Sequence, residues 1–168
     1  MALNTDFQSH INCCSHAGVA KQRAEPSMTV TAALGNPIEK LTPDNAVLLL
    51  IDHQIGPLWE LEFSGVRQRV ADLARVARGR GVPTIITAMD PEELGWIIPE
   101  LTIVQPDAPI VVRSVVNAWD EPTVRGNIEA TGRPKLVIAG SATEVGVVLC
   151  ALAAAEAGYD VYAPVDAS

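Results

Sequence analysis

The stretch of residues 136–158 constrains the fold of this chain more than any other. Residues 136–139 form a short apolar run that Gly140 closes, and small or branched apolar residues continue over residues 143–157, interrupted at Gly146. This order predicts a buried strand, a tight turn and a helix. The free N–H groups and the positive dipole at the start of such a helix stabilise an anion or a developing oxyanion. Chemistry is therefore expected at the turn.

The segments before this unit predict alternating strands and helices. Residues 46–51 are apolar at every position, which is typical of a parallel strand covered on both faces. Apolar residues recur with helical spacing over residues 66–77, and glycines at 79 and 81 end that helix. A second strand is predicted over residues 83–88. The chain therefore begins as a β-α-β unit.

The remaining segments extend the same pattern. Residues 109–113 predict a third strand, residues 120–130 a helix with Pro122 in its first turn, and residues 159–165 a fifth strand. Residues 89–106 are predicted to be a loop with a short helical turn. The sequence thus predicts a three-layer α/β/α domain with a mostly parallel, doubly wound sheet.

The two ends of the chain carry separate predictions. Residues 1–36 lack both periodicities and are predicted to be a mobile extension, with a tag or a partner-binding arm as the alternative, so the domain spans residues 37–168. The fifth strand is followed by three residues and by no crossover helix. We therefore expect C-terminal elements of the domain to be missing, with one sheet face near residues 159–165 under-covered.

Composition restricts the classes of partner. A chain of 168 residues is about one domain, and its net charge of −8 argues against nucleic acid and against an anionic membrane surface. The three cysteines form neither a disulfide framework nor a metal-ligand pattern, which predicts a reducing cytoplasm. No run reaches the roughly 18 apolar residues of a membrane span. A small-molecule or protein partner is the expectation that remains.

The turn at residues 140–146 reads Gly-Ser-Ala-Thr-Glu-Val-Gly. It resembles the Gly-x-x-Thr-Glu-x-Cys segment of the isochorismatase-like cysteine hydrolases. Asp-His-Gln at residues 52–54, Asn-Ala-Trp-Asp at 117–120 and Asp-Ala-Ser at 166–168 extend the resemblance, most closely to a subgroup of oligomeric hydrolases with poorly defined substrates. In that family the last residue of the turn is the nucleophilic cysteine, and here that position is Gly146.

The resemblance implies roles for several residues. Asp52 matches the acid that takes the thiol proton, and Arg113 matches the basic residue of the triad, which is a lysine in many members. Ala142 and Thr143 match the oxyanion turn, which is often built on a cis peptide. A cation and a helix N-terminus lower a thiol pKa, and a carboxylate accepts and returns the proton during acyl transfer.

Structural roles are the alternatives for the same residues. Asp52 is otherwise a strand-end turn residue or a helix cap, and Arg113 a surface charge paired with Asp120 or Glu121. Thr143 is otherwise an N-cap, a role compatible with the oxyanion turn.

Further positions complete the expected site. The resemblance marks Asn117 and Trp119 as candidates for substrate contact. Cys150 lies one helical turn beyond the nucleophile position and is predicted to be an inert core thiol. No metal is predicted, because residues 89–93 lack a histidine and His53 has no histidine partner nearby. No other cofactor is predicted, because neither a dinucleotide-binding motif nor a P-loop follows the first strand.

These observations leave two functional hypotheses. The first is a cytoplasmic, homo-oligomeric hydrolase that acts on a small amide, another C–N bond or an ether-type bond through a Cys/Asp/basic triad whose cysteine is absent. The second is a catalytically inactive homologue that serves as a ligand-binding or oligomer-forming subunit, or a truncated gene product.

Overall fold

Five parallel strands form the centre of the protein, as predicted. The computed structural model describes residues 39–59 and 65–168. The strands are β1 (Ala46–Ile51), β2 (Thr84–Met89), β3 (Ile110–Arg113), β4 (Lys135–Gly140) and β5 (Asp160–Tyr162). They lie in the order β3-β2-β1-β4-β5, and every neighbouring pair is parallel. All six residues of β1 are buried, because the apolar run occupies the middle of the sheet.

Six α-helices connect the strands in the described part of the chain. They are α1 (Ile55–Trp59), α2 (Val66–Gly79), α3 (Pro91–Leu94), α4 (Pro99–Val104), α5 (Pro122–Glu129) and α6 (Val148–Glu156). Two 3-10 turns (Ala118–Asp120 and Val165–Ala167) and one π-helical turn (Thr143–Val147) complete the elements. None of the helices within residues 39–59 and 65–168 is long and apolar enough to cross a membrane.

The helices cover both faces of the sheet. On one face, Leu73 of α2 and Leu101 of α4 belong to the same buried cluster as Leu48 and Leu50 of β1. On the other face, residues of α5 and α6 pack in a second cluster that includes Leu49. Side chains therefore alternate along β1 between two separate cores, one on each face of the sheet. The predicted three-layer α/β/α arrangement is confirmed.

Some local predictions were wrong. The fifth strand was expected over residues 159–165 but ends at Tyr162, because Pro164 has no N–H for a strand ladder and a 3-10 turn follows it. Residues 89–106 contain two short helices instead of a loop with one helical turn, and Pro91 and Pro99 occupy their first positions. The predicted mobile extension over residues 1–36 lies outside the described residues.

Candidate functional site

Asp52 leaves the carboxyl end of β1 with a left-handed backbone. Its φ is 54°, a conformation that Asp tolerates better than most residues with a Cβ atom. Its N–H donates a hydrogen bond to the carbonyl oxygen of Thr87 in β2 at 3.1 Å. Its own carbonyl oxygen accepts a hydrogen bond from Ser141 Oγ at 2.6 Å. Hydrogen bonds from the ends of both neighbouring strands thus hold the backbone of Asp52.

The Asp52 carboxylate has one partner on each oxygen. Arg113 Nη2 donates a hydrogen bond to Oδ2, and Thr87 Oγ1 donates one to Oδ1 at 2.8 Å. The structure therefore brings the two charged residues of the predicted site together, and Arg113 pairs with Asp52 instead of Asp120 or Glu121. The pairing follows from topology, because β1, β2 and β3 are adjacent and parallel.

Arg113 is a buried cation with a full set of acceptors. Its side chain is 1% exposed, and that of Asp52 is 15% exposed. Arg113 Nη1 donates to the carbonyl oxygens of Val115 and Val116, the second at 2.9 Å. The loop after β3 thus turns back around the guanidinium and fixes it against the carboxylate. A buried charge needs this number of partners to be tolerated.

Burial changes how readily the Asp52 carboxyl group gives up its proton. Burial raises the pKa of Asp52 above its ordinary value, while the Arg113 charge and the Thr87 hydroxyl act in the opposite direction. A carboxyl group with a raised pKa both donates and accepts a proton more readily near neutral pH than an ordinary aspartate. The arrangement is therefore suited to proton transfer.

The turn after β4 is π-helical and contains no cis peptide. The described residues have none, so the Ala142–Thr143 peptide is trans and differs from the cis peptide that the resemblance suggested. Ala142 precedes the turn, and its carbonyl oxygen accepts the N–H of Gly146 at 2.7 Å. No side chain caps this turn, so the N-cap role considered for Thr143 is absent.

Gly146 packs against the end of β1. It is buried, and a Cβ atom at this position would lie 3.3 Å from Cγ2 of Ile51, the residue before Asp52. The position expected for a nucleophile therefore lies beside the strand that carries the acid. A side chain at 146 would require a shift of a few tenths of an ångström in Ile51.

Cys150 does not supply the missing nucleophile. It is the one cysteine in the described part of the chain, and it is 0% exposed. Burial raises its pKa to about 12. Nucleophilic attack requires the thiolate, which such a pKa excludes at neutral pH.

Asn117 and Trp119 have structural partners. Asn117 Oδ1 accepts a hydrogen bond from the N–H of Trp119 at 3.1 Å and so caps the 3-10 turn. The Trp119 side chain packs in the core beneath α5 and α6, with its ring 5.3 Å from that of Tyr159 in an edge-to-face contact. Contact between either residue and a substrate stays a prediction.

An open cleft of about 820 Å³ lies between the carboxyl ends of β2 and β3. Its lining includes Arg113 and the apolar side chains of Met89 and Val112. Asp52 and Gly146 are not part of the lining, so Arg113 is the member of the predicted triad that the cleft reaches.

Sequence reasoning assigned no role to three buried polar residues at this edge. Thr87 contacts both charged residues, and Gln54 uses its side-chain amide to bind the N–H and the carbonyl oxygen of Met89 at 2.9 and 3.0 Å. His53 Nε2 lies 3.1 Å from the carbonyl oxygen of Ala167, and its Nδ1 has no partner among the described residues. A polar residue inside an apolar strand or directly after one was the available signal. The described residues contain no group of three side chains suited to a metal ion.

Comparison with known proteins identifies the family. The Isochorismatase domain family matches residues 46–168. The YcaC protein of Escherichia coli K12 is 37% identical over 137 residues, which are 79% of this chain and 66% of that protein. Its crystal structure, described as an octameric hydrolase of unknown specificity, superposes with a TM-score of 0.73 and covers 79% of this chain and 68% of that one.

A second solved structure agrees with the first. YcaC from Pseudomonas aeruginosa, solved with hexane-2,5-diol and covalent acrylamide, is 34% identical with a TM-score of 0.73, over 79% of this chain and 68% of that one. The match to the domain covers the whole sheet and all the site residues described above. The chain therefore belongs to the isochorismatase family and is similar to the YcaC hydrolases.

Proposed function

We propose that the protein hydrolyses a small molecule. Asp52 transfers the proton in this reaction, and the attacking group is water instead of a protein thiol. The bond broken is an amide, another C–N bond or an ether-type bond. The observation that carries the proposal is the Asp52 carboxyl group, held between Arg113 and Thr87 and directly following Ile51, the residue that contacts the glycine at the nucleophile position.

Hydrolysis at such a site needs one proton-transfer group and one water molecule. The Asp52 carboxylate accepts a proton from the attacking water as the water oxygen bonds to the substrate. The neutral acid then donates this proton to the leaving nitrogen or oxygen as the bond to it breaks, which restores the carboxylate. General acid–base catalysis of this kind contributes about 10²- to 10⁴-fold to a rate. Arg113 stabilises the carboxylate stage because its charge lies against Oδ2.

The proposal also covers the oligomeric state and the cellular location of the protein. The relative from Escherichia coli is octameric, and we propose that this chain also forms a homo-oligomer in the cytoplasm. Apolar side chains on the outer face of α6 and the turn before it are exposed, which is compatible with association. Light scattering on the purified chain at micromolar concentration measures this directly, and a monomeric mass contradicts it.

A catalytically inactive, ligand-binding subunit is the second candidate. Gly146 favours it, because the family's covalent route needs the thiol that is absent there. The two candidates differ in one property. The hydrolase consumes substrate, whereas the binding subunit holds the same compounds unchanged.

Turnover of a substrate panel separates the candidates. The panel contains small amides, ureas, carbamates and ether-type compounds, and products are identified by mass spectrometry in H₂¹⁸O. We expect turnover with one ¹⁸O atom in the product and a loss of at least 100-fold in Asp52→Asn. Asp72→Asn is the matched control, since Asp72 lies on the exposed surface of α2. Binding without turnover across the panel contradicts the hydrolase and supports the subunit.

A further inference from the structure

We propose that Thr87 is a positioning residue that holds the Asp52 carboxyl group beside Arg113 and favours its charged form. The inference rests on the proposed function for its catalytic meaning, while its physical content is tested without turnover. Thr87 belongs to none of the motifs that identify the family here.

Thr87 holds Asp52 at two points. Its carbonyl oxygen accepts the Asp52 N–H at 3.1 Å, and its hydroxyl donates to Oδ1 at 2.8 Å. The first bond continues the hydrogen bonding between β1 and β2 as far as Asp52, and the second orients the carboxyl group together with Arg113 on Oδ2. One residue of β2 therefore contacts both the backbone and the carboxyl group of the acid.

The direction of the hydroxyl hydrogen is determined by its neighbours. Arg113 Nε lies 3.5 Å from Thr87 Oγ1, and a guanidinium has only donors. The Thr87 hydroxyl oxygen therefore accepts from Arg113, and the hydroxyl hydrogen is donated to the Asp52 carboxylate. In this arrangement Thr87 donates to the charged form of Asp52, and a hydrogen bond to the charged form favours it.

Burial gives this contact its strength. Thr87 is 0% exposed, so its hydroxyl does not exchange partners with bulk water. Its branched Cβ restricts the side-chain rotamer, which keeps the hydroxyl aimed at Oδ1. Valine has the same shape without the donor. Thr87→Val therefore removes the hydrogen bond and leaves the packing of β2 nearly unchanged.

The test is the pKa of Asp52, measured by carboxyl ¹³C NMR and assigned from the resonance that disappears in Asp52→Asn. We expect Thr87→Val to raise this pKa by about one unit and Thr87→Ser, which keeps the hydroxyl, to restore most of the wild-type value. Thr84→Val is the matched control, because Thr84 is a buried threonine of the same strand that bonds Val82 and Gln105 instead. It should leave the Asp52 pKa unchanged.

Two results would contradict the positioning role of Thr87. An unchanged pKa in Thr87→Val, or an equal rise in Thr87→Ser, overturns the inference. If Thr87→Val does not fold, the pair Thr87→Ala and Thr87→Ser supplies the same comparison. Where a substrate is found, the pH–rate profile of Thr87→Val should move by the same amount as the pKa. A shifted pKa in a protein without turnover retains the positioning role and contradicts the proposed function alone.

Discussion

Arg113 at the end of β3 reaches across β2 to hydrogen-bond the carboxylate of Asp52, a residue 61 positions earlier in the chain. The contact exists because β1, β2 and β3 are parallel neighbours and their carboxyl ends share one edge of the sheet. Both side chains are largely withdrawn from water, so each depends on the other for its charge. The free energy of unfolding of variants that lack one or both side chains therefore measures how strongly the two residues depend on each other.

Breaking the pair from either side should destabilise the protein. A buried ion pair that loses one partner leaves an unpaired charge, which costs about 3–5 kcal/mol. We expect urea unfolding to give a loss of about 3 kcal/mol for Arg113→Met and somewhat less for Asp52→Asn, because Asn suits the left-handed backbone at this position. The double variant should lose less than the two single losses combined.

The surface pair of Arg75 and Asp72 is the control for this cycle. Both side chains are more than a third exposed, and such pairs contribute about 1 kcal/mol or less. If the coupling energy between Asp52 and Arg113 is as small as that between Arg75 and Asp72, the buried pair is not energetically coupled and the account is contradicted.

His53 should make the protein less stable in acid. Burial lowers its pKa from 6.5 to about 4, so between these values the unfolded chain binds a proton that the folded chain does not. Stability is therefore present above pH 6.5 and falls as the pH drops toward 4. The expected loss at pH 5 is about 2 kcal/mol. Urea unfolding at pH 7.5 and pH 5 measures it.

His53→Gln isolates this contribution, because glutamine still offers a donor to the carbonyl oxygen of Ala167 and does not titrate. Asp52 titrates with the opposite sign and is present in both proteins. The difference between wild type and His53→Gln should therefore change by about 2 kcal/mol between the two pH values. A constant difference would show that His53 is not a buried neutral base.

Gly146→Cys should create a thiol with a pKa below the roughly 8.5 of free cysteine. The new side chain lies beside Ile51, one residue from Asp52, at the start of a helical segment. The backbone φ of Gly146 is not in the left-handed region, so this position accepts cysteine once Ile51 shifts slightly. Alkylation rate against pH gives the midpoint, with Cys13, Cys14 and Cys150 replaced by Ala or Ser.

Ala130→Cys is the control, since Ala130 is exposed at the end of α5 and lies outside the apolar face of α6. Its thiol should titrate like free cysteine. Acrylamide, which is covalently bound in the Pseudomonas aeruginosa relative, is a suitable second reagent. Equal midpoints at positions 146 and 130 would mean that the turn does not provide a catalytic environment.

Trp119 should act on stability through the core. Its ring is 5% exposed and contacts Tyr159, so Trp119→Ala is expected to lower the free energy of unfolding by about 3–5 kcal/mol. Trp119→Phe keeps an aromatic ring and should recover part of this loss. A folded, stable Trp119→Ala protein with weaker substrate binding would instead support the predicted substrate contact.

The sequence carried enough information to predict the sheet and its charged pair. The run at β1 is apolar on both faces, and this is the pattern of a central parallel strand. Asp52 follows one predicted parallel strand and Arg113 ends another, and because such strand ends meet at one edge of the sheet, this pattern predicts that the two residues are neighbours. The early end of β5 was also encoded by Pro164, although the prediction gave more weight to the apolar residues around it.

Other features depend on three-dimensional pairing. Nothing in a linear sequence shows that Thr87 faces Asp52, because the contact depends on the register between β1 and β2. The left-handed backbone of Asp52 is held by hydrogen bonds to Thr87 and Ser141, and the π-helical turn before α6 closes on the carbonyl oxygen of Ala142. Trp119 belongs to a motif, and its burial followed only from the way α5 and α6 pack.

The rate of hydrolysis against pH, measured for wild type and Asp52→Asn on the best substrate of the panel, tests the central claim most directly. The account predicts measurable turnover in the wild type, a pH dependence whose midpoint equals the NMR-measured pKa of Asp52, and a loss of at least 100-fold in Asp52→Asn across the pH range. Equal rates for the two proteins, or a midpoint that does not move with the Asp52 pKa, would contradict it.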